Sequence, residues 1–112
     1  MSCDKCQDME RIIKRPQDLT EAILLAYSKL EIGELYYLGT GFYGTPLSRM
    51  SSGKGWSDIV SNYFECCNCG QIIYLHAETY HGSGGRMEFV TSIKGELGDQ
   101  DSPYNKSIKK GT

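Results

Sequence analysis

Between Asp18 and Ile32 the apolar residues Leu19, Ala22, Ile23, Ala26, Tyr27 and Leu30 recur every three or four positions. That spacing gathers them on one face of a helix. Asp18-Leu19-Thr20-Glu21 reads as a capping box with Asp as the N-cap, and Gly33 marks the stop because it enters the left-handed region freely. Beyond Gly33 the period shortens to two. Glu34 to Leu38, Trp56 to Glu65, Gln71 to Glu78 and Arg86 to Lys94 are predicted strands. In the third of these, Ile73, Leu75 and Ala77 form one face and Ile72, Tyr74 and His76 the other. Both faces are apolar enough to place that strand in the middle of a sheet. On Arg86–Lys94, Met87, Phe89, Thr91 and Ile93 share a face.

These elements predict an α+β domain, one long helix packed on an antiparallel sheet of three to five strands. It spans residues 1–95, with a short polar segment over 1–15 and a polar, flexible tail over 96–112. At 112 residues the chain suffices for one modest core and not for two. No apolar run reaches the roughly 20 residues that a membrane helix needs. Met1-Ser2-Cys3-Asp4-Lys5-Cys6 lacks the apolar stretch of a secretory signal, so a cytosolic location is expected.

Charge changes the picture of partners. Residues 16–85 hold seven acids against Lys29, Arg49 and Lys54, and no Lys or Arg falls between Lys54 and Arg86. Nucleic-acid binders concentrate Lys and Arg where they meet phosphate. This stretch does the reverse, and it suits a basic protein partner or simply an acidic surface. Tyr43, Trp56, Asp58, Glu65, Glu78 and Tyr80 are its candidate partner-binding residues, since Tyr and Trp dominate interface energies.

The chemistry lies in two Cys-x-x-Cys pairs, Cys3/Cys6 and Cys66/Cys69. The second pair precedes Gly70 and sits between two predicted strands, where a knuckle turn would aim both thiolates at one ion. Zinc takes four soft ligands in a tetrahedron, and Cys3, Cys6, Cys66 and Cys69 supply four. In a reducing compartment such a pattern reads as metal before disulfide. The 59 residues between the pairs exceed the usual spacing of compact four-Cys sites, so the helix and first strands would be inserted between the knuckles. Neither pair opens a helix, which weakens a thioredoxin-like role. Cys67 is expected to point away from the metal.

Gly39-Thr40-Gly41-Phe42-Tyr43-Gly44 matches a dinucleotide fingerprint, but Pro46, Ser48, Ser51 and Gly53 follow where a helix N-terminus would have to hold the pyrophosphate. His76 and His81 share a hairpin with Glu65 and Glu78. On an alternating strand His76 is better explained as a hydrogen-bonded packing residue than as an acid–base catalyst.

The run Tyr63-Phe64-Glu65-Cys66-Cys67-Asn68-Cys69-Gly70 resembles half of a zinc ribbon. Together with the N-terminal Cys pair and the turn Thr79-Tyr80-His81-Gly82, residues 1–94 resemble the small bacterial immunity proteins of contact-dependent growth inhibition systems. The resemblance implies a non-enzymatic cytosolic protein that binds a delivered toxin, often a basic nuclease, and masks its active site. From the acidic central stretch and the lack of a long apolar run, direct contact with neither nucleic acid nor membrane is expected. The alternative is a zinc-ribbon adaptor associated with nucleic acid or a larger enzyme, using Arg11, Lys14, Arg15, Lys106, Lys109 and Lys110.

Overall fold

Helix α1 runs from Pro16 to Glu31, two residues earlier than the apolar period indicates. Proline suits the first helical position, where its missing N–H would have had no partner. In this computed structural model the described residues are 6–41, 59–78, 84–93, 95–98 and Asn105. Asp18 is not the N-cap. Arg15 is, and Asp18 stands at the third helical position, its Oδ2 accepting the backbone N–H groups of Lys14 and Arg15, each at 3.0 Å. The guanidinium of Arg15 carries no acceptor, so only the backward half of a capping box forms. Gly33 ends the helix as expected, at φ 82°. Glu34 N–H donates to the Lys29 carbonyl and Gly33 N–H to that of Leu30, the paired bonds of a Schellman motif.

Five strands form one antiparallel sheet, β1 (Arg11–Ile13), β2 (Leu35–Thr40), β3 (Ile59–Cys66), β4 (Ile72–Glu78) and β5 (Gly85–Val90). Their order is β1-β5-β4-β3-β2, with β4 central as its two apolar faces predict. The two edge strands are joined by α1. Crossing four strand spacings takes about 19 Å, and a 16-residue helix spans about 24 Å. Leu19, Ala22, Ile23, Ala26 and Leu30 therefore bury against Leu35, Tyr37, Val60, Phe64, Ile73, Leu75 and Met87. Tyr27 packs at the margin of this core. Among the described residues no helix is long and apolar enough to cross a membrane.

Three departures from the sequence reading have local causes. The segment 1–15 is not merely polar, because it contains β1 and buries Met9 and Ile13. β5 stops at Val90 and not at Lys94, so Thr91 and Ile93 lie beyond the ladder. The tail is not wholly loose either. Gly98 bridges Thr40, and Asn105 bridges Tyr37 with its amide donating to the Tyr37 carbonyl at 3.0 Å. Asn105 is 2% exposed. These two contacts satisfy part of the outer edge of β2, which would otherwise present unpaired backbone.

The glycine fingerprint also finds its explanation here. Gly39, at φ 138°, lies where the β2–β3 register shifts after Tyr37. Gly41 N–H bonds the Ser61 carbonyl, and a Cβ on Gly41 would strike the Ser61 hydroxyl. Both glycines serve a bulge and a close strand approach. Residues 42–44 of the motif lie outside the described residues.

Candidate metal centre

Cys66 is the last residue of β3, and the chain reverses immediately after it. Gly70 N–H donates to the Cys66 carbonyl at 2.9 Å, and Cys66 N–H donates to the Gln71 carbonyl at 2.9 Å. Gly70 holds φ 80°, the left-handed conformation that a tight knuckle demands. Cys67 N–H is drawn to the Glu34 carbonyl at 3.1 Å, fixing the knuckle against the end of the helix.

The sheet register brings the N-terminal cysteine here. Arg11 pairs with Met87, Met87 with Leu75, and Phe89 with Ile73. Moving from Arg11 toward the N-terminus therefore follows β5 to its end, the side of the sheet where the β3–β4 turn lies. A 3-10 turn over Gln7–Met9 then carries Cys6 back across the core, and Cys6 is fully buried. Two further anchors hold this segment. Met9 is fully buried. Lys29 Nζ lies 3.3 Å from Asp8 Oδ1 and 3.5 Å from Glu34 Oε1. Lys29 was the unexpected member of the buried helix face, with only its ammonium reaching the two carboxylates.

The thiol sulfurs of Cys6, Cys66 and Cys69 lie within 4.8 Å of one another. Cys6 Sγ and Cys69 Sγ are 3.6 Å apart. A disulfide would need about 2.05 Å. Two thiolates on one tetrahedral zinc, each about 2.3 Å from it, sit about 1.63 times that distance apart, or about 3.8 Å. With the Cys6–Cys69 pair near this value and all three sulfurs within 4.8 Å, the cluster is compatible with a shared metal. Cys6 and Cys66 are buried, and Cys69 and Cys67 are exposed. Cys67 is not part of the cluster. Cys3, the expected fourth ligand, lies outside the described residues.

The partner-binding candidates divide in the same way. Tyr43, Trp56, Asp58 and Tyr80 lie outside the described residues. Glu65 and Glu78 are half-buried, and alternation along β3 and β4 puts both on the sheet face opposite α1. Glu65 pairs with Ile72, so six residues of β4, about 20 Å, separate the two carboxylates. They do not form one compact site. Between them on that face, Tyr63 and Tyr74 stack at 4.2 Å and Tyr74 and His76 at 4.6 Å. His76 Nε2 is 2.6 Å from Glu88 Oε2, so its carboxylate partner is on β5 rather than being Glu65 or Glu78. Tyr74 shares a 2.7 Å hydrogen bond with Ser61, while burial keeps its phenol pKa above the ordinary value. His81 lies outside the described residues.

Of the basic residues in the adaptor reading, Arg15 pairs with Asp18 at 3.2 Å and Arg11 Nε donates to the Asp8 carbonyl. Lys106, Lys109 and Lys110 lie outside the described residues. Among known proteins, neither family models, curated sequences nor solved structures offer a match to this chain.

Proposed function

We propose that this chain is a non-catalytic binding module stapled by one structural zinc, and that it acts as an immunity protein. The observation that carries the first half is the convergence of Cys6, from the N-terminal segment, with Cys66 and Cys69, from the β3–β4 knuckle. Soft thiolates at this spacing select zinc over the hard cations that prefer oxygen. A fourth thiolate, assigned in this reading to Cys3, would close the shell and leave no position for a substrate. The metal's role is to fold the N-terminus onto the hairpin, and its binding free energy is folding free energy.

The sheet face opposite α1 supports the second half. It carries the half-buried Glu65, Tyr74, His76, Glu78 and Glu88, while Tyr63, stacked on Tyr74, is buried. Acidic groups beside aromatics suit a cationic protein, and charge complementarity would speed its capture. The partner is a basic nuclease toxin whose active site is masked, with Tyr43, Trp56, Asp58 and Tyr80 contributing beside Glu65 and Glu78.

Two experiments separate these claims. Elemental analysis of protein purified without chelator should find about one zinc per chain. Co-expression with the toxin domain encoded by a neighbouring gene should give a complex and restore growth. A chain that holds zinc but neither binds nor protects refutes the immunity role and leaves the staple standing.

A further inference from the structure

Of the three clustered cysteines only Cys69 is exposed, while Cys6 and Cys66 are closed to solvent. A dissolved oxidant therefore reaches Cys69 first. Cys6 Sγ is 3.6 Å away, so the two sulfurs need approach by only about 1.6 Å to reach bonding distance. Cys66 is less free to follow, because its N–H and its carbonyl are both engaged in the knuckle. Cys6 is itself fully buried and its carbonyl accepts the Met9 N–H at 3.0 Å, so it is the short 3.6 Å sulfur separation that favours the Cys6–Cys69 pair.

We infer that the centre is a redox-exchangeable staple, in which peroxide converts the Cys6 and Cys69 thiolates to a disulfide and expels the metal. Cys69 sulfur attacks the peroxide O–O bond, giving a sulfenic acid and releasing one water after protonation. Cys6 sulfur then displaces the sulfenic oxygen as a second water. Two electrons pass from the two sulfurs to the peroxide, two protons are consumed, and Zn²⁺ leaves with its charge unchanged. The N-terminal segment stays tied to the hairpin throughout, first by metal and then by a covalent bond. Zinc release rests on the zinc reading above. The Cys6–Cys69 bond does not, since it forms equally from the free thiols.

The test treats purified holoprotein with limiting hydrogen peroxide, follows zinc with a chromogenic chelator and maps disulfides in a tryptic digest. Cleavage after Lys5, Arg11, Lys54 and Arg86 puts Cys6 and the knuckle in separate peptides, residues 6–11 and 55–86. Bound zinc should fall from about one per chain to near none. The two peptides should appear joined through Cys6 and Cys69, and thiol reductant plus zinc should restore the starting state. Cys67→Ser should change none of this, and Cys69→Ser should abolish the joined peptide. A dominant Cys66–Cys69 or Cys66–Cys67 bond, or zinc loss without any cross-link, overturns the inference. If Cys69→Ser fails to fold, fragment spectra of the wild-type cross-link decide the same question. If the purified chain holds no zinc, the zinc reading fails, and the bond formed by the apo protein still decides this one.

Discussion

Zinc should set the thermal stability of this domain in a graded, calculable way. A ligand that binds only the folded chain stabilises it by RT ln(1 + [L]/Kd), about 2.7 kcal/mol when free metal is 100 times Kd. Unfolding entropy near 2.1 cal/mol/K per residue gives about 0.24 kcal/mol/K for 112 residues. The melting temperature should therefore rise by about 6 °C for every tenfold increase in free zinc above Kd, and by about 11 °C at 100 times Kd.

The proposed staple also predicts where the apo protein loosens. Without the proposed metal the Cys6 end should loosen, while the buried Met9 and Ile13 and the ladder of β1 to β5 should hold. Amide exchange should accelerate over residues 6–8 and in the Cys67–Cys69 knuckle while Arg11–Ile13 stay protected. Differential scanning fluorimetry in metal buffers gives the slope, and hydrogen exchange gives the location. Cys66→Ser should flatten the zinc dependence, and Cys67→Ser should preserve it. A melting temperature that ignores free zinc over three decades in reduced, folded protein would refute the staple.

Other substitutions probe the frame around the site. Gly85→Ala places a methyl on the His76 carbonyl and 2.5 Å from Ala77 Cα, so it should cost about 3 kcal/mol or more and lower the melting temperature by over about 10 °C. Gly33→Ala meets no atom within 4 Å and should lose only about 1–2 kcal/mol, from its positive φ. Tyr37→Phe removes the 2.7 Å hydrogen bond to the buried Asn62 Oδ1 and should cost about 1–3 kcal/mol in urea denaturation, with the m-value unchanged. The Asp18 carboxyl is held below its ordinary 3.8, chiefly by the Lys14 N–H and then by the Arg15 side chain. Its contribution is present above the unfolded value and fades as pH falls through the lowered folded one, and Asp18→Asn should erase that acid limb of the melting-temperature profile.

How much of this was legible in the chain follows from the range over which each signal acts. The helix and four of the strands announce themselves because their periods repeat over several residues, and Gly33 and Gly70 because each carries a local backbone demand. Strand β1 is three residues, Arg-Ile-Ile, too short to display a period, and only pairing with β5 makes it a strand. Asp18 carries a capping signal that fits two registers. Pro16 decides between them by taking the first helical position.

The metal centre shows the same division. The Cys-x-x-Cys spacing offers candidate ligands, and it cannot say that Cys6 and Cys66, 60 positions apart, meet. That depends on α1 joining opposite sheet edges and on β1 running antiparallel to β5. Together these bring Cys6 to the end of the sheet where β3 turns into β4. A parallel β1 would deliver Cys6 to the other end, beside Gly85 and Ala77, far from the knuckle. The antiparallel register of β1 is thus what assembles the cysteine cluster. Lys29, bridging Asp8 and Glu34, reinforces the same closure from the helix. Its placement was hidden because a lysine on an amphipathic helix reads as solvent-facing until the segment that covers it is in place.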